Sequence, residues 1–137
     1  MRTLAKWLFS SPEPNTSSGR IIGWWELRRI PYNVIVGCYA FGCLIIFFVA
    51  IGATGHLRPG EDAVEPITLL FAPCGINIFY TLGWLVEVPS RLLFPNLSPR
   101  LGPFMLAAGL ALSLVLVTVP AAYWLGYRML QLAGRVQ

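Results

Sequence analysis

Residues 66–88 read PITLLFAPCGINIFYTLGWLVEV and are apolar enough to cross a bilayer, yet they contain most of the polar side chains that a span of this chain could bury. Placed on a helix at 100° per residue, the polar and amphipathic side chains gather on one side and large apolar side chains occupy the other. The polar face consists of Asn77, Tyr80, Thr81, Trp84 and Glu87. We therefore expect one face of this helix to contact protein and the opposite face to contact lipid.

The composition of the whole chain indicates a membrane protein. Of its 137 residues, 56% are hydrophobic and only 12% are charged, whereas soluble domains carry about 25% charged residues. Apolar runs with the length of a membrane span cover residues 30–52, 67–88 and 103–125. The prediction is an all-α, integral membrane three-helix bundle with a short N-terminal interfacial helix. It divides the chain into a cytoplasmic interfacial segment and linker (1–29), a three-span membrane domain (30–128) and a C-terminal tail (129–137).

The basic residues are best interpreted as a topology signal. The net charge is +4, but the chain leaves no folded polar surface on which nucleic acid could bind. Seven of the ten basic residues precede the first span or lie between the second and third spans, and three lie on the other side. Since short cytoplasmic segments are enriched in Lys and Arg, this distribution predicts a cytoplasmic N-terminus and a C-terminus outside. Membrane lipid is therefore an expected partner, and nucleic acid is not.

Three segments are expected at the cytoplasmic boundary of the first span. Residues 1–9 have the composition of a short interfacial helix, and residues 10–19 are rich in Pro and Ser, as linkers are. The next segment joins interfacial aromatic residues to charged residues, and Glu26 is spaced to pair with Arg29. We call it the cytoplasmic collar, and its members are Trp24, Trp25, Glu26, Arg28, Arg29, Tyr32 and Asn33.

Small residues recur on the first and third spans at spacings that let another helix approach closely. The predicted helix-packing residues, including two hydroxyl side chains on the third span, are Cys38, Gly42, Ala107, Ala111, Ser113 and Thr118. Two alternatives stay open for Asn77, which lies near mid-membrane. Its side chain bonds inside the chain, to Ser113 or Thr118, or it bonds across to another subunit.

The chain offers little catalytic chemistry. No Ser/His/Asp or Cys/His set occurs at a suggestive spacing, and no glycine-rich phosphate loop follows a strand. The single histidine, His56, lies near three acids in a turn-rich loop that is expected to be solvated. The three cysteines lie in predicted spans without metal-ligand spacing, so we expect no metal, cofactor or disulfide. Glu87, the only acid near span depth, is expected to pair with Arg91, Arg28 or Arg29.

Two motifs resemble those of small bacterial multi-pass membrane proteins. They are GWWELRRIPYN at residues 23–33 and NIFYTLGWLVE at residues 77–87, and they are similar to the patterns WWE-x-RR-x-x-YN and N-x-x-YT-x-GW-x-x-E. The resemblance implies a bacterial inner membrane, and it carries no activity, cofactor or catalytic residue. With the predicted topology, Asn33, Trp84 and Glu87 approach the cytoplasmic interface, and we expect them to meet there.

Three functions from different classes fit these features. The first is a small non-catalytic structural or accessory subunit that packs against partner subunits or forms a homo-oligomer. We expect this one, because small-residue faces are present and a catalytic set is not. The second is an oligomeric channel or membrane effector lined by Asn77, Tyr80 and Thr81. The third is an enzyme that acts on lipid at the cytoplasmic interface through Glu87.

Overall fold

The structure, a computed structural model, describes residues 2–12, 17–54, 66–94 and 98–134. Over these residues it contains four α-helices and no strand: α1 (Arg2–Leu8), α2 (Ser18–Thr54), α3 (Pro66–Leu93) and α4 (Leu101–Leu132). The three long helices are long and apolar enough to cross a membrane. The prediction of an all-α membrane bundle of three spans, preceded by a short helix, is confirmed.

The ends of the long helices differ from the sequence-based boundaries. The first span was expected to begin at residue 30, but α2 begins at Ser18, so the whole collar lies within α2. The second span was expected to end at residues 88–89, yet α3 continues through Pro89 to Leu93. Proline removes only one backbone donor, and an ion pair between Glu87 and Arg91 links the turns on either side of it. The predicted loop between the first two spans lies mostly outside the described residues.

The helix directions follow from the order of the contacts between them. Along α2 and α4, Tyr32 meets Ser113 and Tyr39 meets Thr118, so both helices run in the same direction. Further along α2, the ring of Phe47 packs against that of Trp124 in α4. In α3 the order is reversed, because Asn77 meets Asn33 whereas Glu87 meets Trp25. The bundle is therefore a parallel pair, α2 and α4, with α3 antiparallel to both.

Buried side chains form two clusters at different levels of the bundle. The cluster near the start of α2, here the proximal core, joins all four helices and contains Leu8, Ile21, Trp24, Trp25, Tyr32, Val36, Tyr80 and Leu106. The second, here the distal core, contains Cys43, Phe47, Ile51 and Ala121, which belong to α2 and α4 only. Thus α3 is packed tightly near its C-terminal end, and among the α3 side chains that the structure describes, residues 71–93, none belongs to the buried set of the distal core.

Candidate functional site

Glu87 is the most deeply enclosed polar residue of the proximal region. Its side chain is 0% exposed and accepts hydrogen bonds from two other side chains. The indole Nε1 of Trp25 donates to Oε2 at 2.6 Å. The guanidinium of Arg91 donates to Oε1 through Nε at 2.8 Å and through Nη2 at 2.6 Å. Because the carboxylate is both paired and hydrogen-bonded, its burial is compensated. We call Trp25, Glu87 and Arg91 the carboxylate clasp.

Two glycines give the carboxylate clasp its space. A Cβ atom built at Gly102, in the first turn of α4, would lie 2.7 Å from Oε2 of Glu87. A Cβ atom at Gly83 would lie 2.5 Å from the Trp25 ring. Side-chain atoms do not approach Cβ so closely, so both positions require glycine while the clasp keeps its geometry. The carboxylate clasp therefore joins α3 to α2 through the hydrogen bond from Trp25, and Gly102 allows α4 to approach it closely.

Next to the clasp, the two tyrosines bind polar atoms of other helices. The hydroxyl of Tyr80 donates to the backbone carbonyl of Trp25, and the rings of these two residues meet edge to face at 5.3 Å. The hydroxyl of Tyr32 shares a 2.7 Å hydrogen bond with Ser113. Both tyrosines and Ser113 are buried. Tyr80 thus links α3 to α2, and Tyr32 links α2 to α4.

Asn77 bonds inside the chain, but to a partner other than those considered from the sequence. Its amide and that of Asn33 form a reciprocal pair, with N–O distances of 3.0 and 3.2 Å. Ser113 bonds to Tyr32 instead, and Thr118 bonds to Tyr39 at 2.7 Å. The expected partners were chosen for their depth on α4, but depth alone does not identify the partner, because Asn77 faces α2 at this level.

The arginines of the collar do not reach Glu87, contrary to one of the expected pairings. Arg29 pairs with Glu26 at 2.7 Å, as their spacing predicts, and also donates to the hydroxyl of Thr81 at 3.0 Å. Arg28 faces α1. Only Arg91 neutralises the Glu87 carboxylate among the described residues, because it lies one turn away on the same helix.

Arg28 joins the interfacial helix α1 to α2. The residue is buried, with 4% of its surface exposed. Its guanidinium donates to the backbone carbonyls of Leu8 at 2.8 Å and Trp7 at 2.7 Å. It also donates to the hydroxyl of Ser10 at 2.9 Å. The guanidinium carbon lies 4.0 Å from the Trp24 ring centroid and 4.6 Å from that of Trp7. Carbonyls at the C-terminus of a helix lack intrahelical donors. Arg28 supplies N–H donors to two carbonyls at the end of α1, and its guanidinium also stacks on two indole rings.

Asn33 does not meet Glu87, contrary to the expectation that Asn33, Trp84 and Glu87 come together. Asn33 lies opposite Asn77, ten residues before Glu87 and hence about 15 Å away along α3. Trp84 packs against the proximal core, and its buried indole nitrogen has no hydrogen-bond partner among the described residues. The sequence placed these residues near one interface, but the antiparallel register of α2 and α3 separates Asn33 from Glu87.

The predicted helix-packing residues divide into two groups. Ser113 is buried and Thr118 is half-buried, and both bond to tyrosines of α2. The remaining four are exposed and lie on outward faces of α2 and α4: Cys38, Gly42, Ala107 and Ala111. These small residues therefore do not mediate the packing of this chain's own helices.

Sequence reasoning placed Glu87 and Trp25 in separate groups and predicted no contact for the glycines that fit around them. The motif at residues 77–87 contains Gly83, which was a usable signal. Gly102 carried no signal of its own, because the carboxylate that excludes a side chain there belongs to another helix.

No metal or redox centre is assembled in the part of the chain that the structure describes. It contains no group of three His, Cys, Asp or Glu residues that could hold a metal ion. All three cysteines are free, with Cys38 and Cys74 exposed and Cys43 buried. His56 and its neighbouring acids lie outside the described residues.

Comparison of the chain with protein-family models, with curated proteins and with solved structures finds no match.

Proposed function

We propose that this protein is a non-catalytic accessory subunit of a bacterial inner membrane assembly, and that it acts by helix packing through the outward face of α2. The main support is that the polar groups of the spans bind one another, whereas the small residues suited to helix contacts remain uncovered. A fold that already pairs most of the buried polar groups of its described spans leaves this apolar face for another chain.

The outward face of α2 has the shape of a helix-docking surface. Cys38 and Gly42 are exposed at its centre, and a Cβ atom at Gly42 would meet nothing within 4 Å. The large side chains of Val34, Ile45 and Val49 flank them and are 57%, 50% and 66% exposed. Small residues allow close approach of helix backbones in a bilayer, where dispersion contacts drive association.

The proposed orientation has the N-terminus in the cytoplasm. Because α3 is antiparallel to α2, the basic residues that precede the first span share one end of the bundle with those that follow the second. Arg28 and Arg29 of α2 thus lie at the same end as Arg91 of α3. The positive-inside rule supports assigning this end to the cytoplasm. A reporter enzyme that works only outside the cytoplasm is expected to be active when it is fused to the C-terminus. A cytosolic C-terminus would contradict the proposed orientation.

The decisive test of the accessory-subunit proposal is native mass spectrometry of the protein extracted in lipid nanodiscs. The wild type is expected to retain a second copy or a partner chain, and Gly42→Leu is expected to lose it because the larger side chain blocks close approach. Gly126→Leu is the matched control, since Gly126 is also an exposed helical glycine with nothing near its Cβ. Only monomers of the wild type, or equal loss in both variants, would overturn the proposal.

Cysteine cross-linking separates a homo-oligomer from a complex with another protein. Cys38 is exposed on the proposed surface, and Cys74 is the other exposed thiol. In a Cys74→Ala background, a homo-oligomer is expected to form a Cys38-dependent cross-linked dimer in membranes. A complex with another protein would give a Cys38-dependent adduct of different mass.

The channel and enzyme hypotheses receive less support. The polar atoms proposed to line a pore bind protein: Asn77 binds Asn33, Tyr80 binds Trp25, and Thr81 accepts from Arg29. Glu87, the proposed catalytic acid, is enclosed by the carboxylate clasp. Conductance of the purified oligomer that disappears in Asn77→Leu would favour the channel.

A further inference from the structure

Two basic side chains are exposed at the end of the bundle that carries α1. They are Lys6, in α1, and Arg100, the residue that precedes α4. Neither side chain forms a hydrogen bond or an ion pair with another residue that the structure describes. The two acids in the described part of the chain already form ion pairs with other arginines. Both positive charges are therefore available to an anion from outside the chain.

Both bases lie close to the start of an apolar run. Arg28 binds the carbonyls at the C-terminal end of α1, and it precedes the apolar run of residues 30–52 by about 3 Å of helix. Lys6 lies within one turn of those carbonyls. Arg100 precedes the apolar run of residues 103–125 by about 4.5 Å. The headgroup layer is about 5–8 Å thick on each side of the hydrocarbon, so both bases lie at the depth of the headgroups.

Exposed apolar side chains accompany the two bases. In and next to α1, Leu4, Trp7 and Phe9 are 57%, 42% and 39% exposed. The C-terminus of α3 lies at the same end of the bundle, and there Leu93 and Phe94 are 74% and 61% exposed. Apolar surface of this kind is unfavourable in water. Bases combined with large apolar and aromatic side chains are typical of segments that lie in the membrane interface.

We infer that this end of the bundle binds the anionic headgroups of a bilayer, with Lys6 and Arg100 contacting lipid phosphates. The apolar side chains beside them enter the boundary of the acyl chains, and the bases meet the phosphates above it. Arg28 contributes from inside the protein, because it holds α1 against α2. The inference depends neither on the accessory-subunit proposal nor on the orientation of the chain.

An anionic bilayer fits this end of the bundle better than an acidic protein does. Lys6 and Arg100 belong to different helices, and a bilayer surrounds the bundle and reaches both of them. An acidic protein could match their charges, but at headgroup depth it would have to displace lipid. It would also have to cover the neighbouring leucine, tryptophan and phenylalanine side chains, which a bilayer accommodates at its interface.

The first test measures which lipids the full-length protein retains. Native mass spectrometry from nanodiscs of equal phosphatidylglycerol and phosphatidylcholine is expected to show retained lipid enriched in phosphatidylglycerol. Lys6→Gln/Arg100→Gln should lower this enrichment by about fivefold for each base removed, equivalent to about 1 kcal/mol. Circular dichroism should show unchanged helical content, since both side chains are exposed.

The matched control is Lys6→Arg/Arg100→Lys, which keeps both charges and should keep the enrichment. No enrichment in the wild type would overturn the inference. Equal loss in the charge-removing and charge-retaining variants would also overturn it, because the effect would then not be one of charge.

The second test locates the contact on α1 by hydrogen exchange over residues 2–8. Exchange is expected to be about fivefold slower in nanodiscs with phosphatidylglycerol than in phosphatidylcholine alone. The difference should disappear in about 1 M salt, where the Debye length is about 3 Å. Lys6→Gln should also remove it, whereas Arg100→Gln, on another helix, should retain it. Equal exchange of the wild type in both lipids would contradict the inference, as would equal slowing by soluble polyglutamate in phosphatidylcholine nanodiscs, which would indicate an acidic protein instead.

Discussion

Replacing Glu87 with Gln is the most informative perturbation of the fold, because it removes the charge and leaves the shape nearly unchanged. The new amide can accept hydrogen bonds from Arg91 through its oxygen, but its NH₂ group then faces the indole N–H of Trp25, which is also a donor. Trp25 loses a 2.6 Å bond to a charged acceptor and stays buried at 2% exposure.

The expected cost follows from these contacts. A hydrogen bond to a charged group contributes about 1.5–3 kcal/mol, and an orphaned buried donor costs about 1–3 kcal/mol. Removing one partner of a buried ion pair typically costs about 3–5 kcal/mol. We therefore expect Glu87→Gln to lower the free energy of unfolding by about 3–5 kcal/mol, a large part of the usual total of about 5–15 kcal/mol.

The assay is reversible unfolding in mixed micelles by titration with sodium dodecyl sulfate, followed by far-ultraviolet circular dichroism. Glu26→Gln is the matched control: Glu26 also pairs with an arginine, but its side chain is 44% exposed, so the expected change is about 0–1 kcal/mol. A double-mutant cycle with Trp25→Phe should be non-additive, since the phenylalanine removes the donor that the glutamine orphans. A Glu87→Gln variant within about 0.5 kcal/mol of the control would refute the reasoning.

Two further predictions concern the same region. Gly83→Ala and Gly102→Ala should each destabilise the protein by about 1–3 kcal/mol through overpacking. Gly23→Ala is the control and should have little effect in the same titration, because a Cβ atom at Gly23 meets nothing within 4 Å. Equal effects at all three positions would contradict the proposed close contacts. Arg28→Ala should release α1, because a seven-residue helix is not stable alone. Hydrogen exchange should then increase over residues 2–8, and Arg29→Ala, whose side chain contacts Glu26 and Thr81, should leave that exchange unchanged.

The helical membrane architecture was predictable because it depends on local properties of the chain. Hydrophobic runs of span length and the polar face of residues 66–88 follow from composition and the helical period. The pairing of Glu26 with Arg29, and that of Glu87 with Arg91, follow from spacing on a single helix. Each of these features is set by residues within one or two helical turns.

The contacts between helices required the tertiary structure. The sequence indicated that Asn77 faces protein, but the register of α3 against α2 selected Asn33 as its partner and separated both from Glu87. It also gave no sign that Gly102 must be small, since the carboxylate that fills its space comes from another helix. A sequence pattern specifies which side of a helix is polar. Rotation, register and separation of the helices decide which polar groups meet.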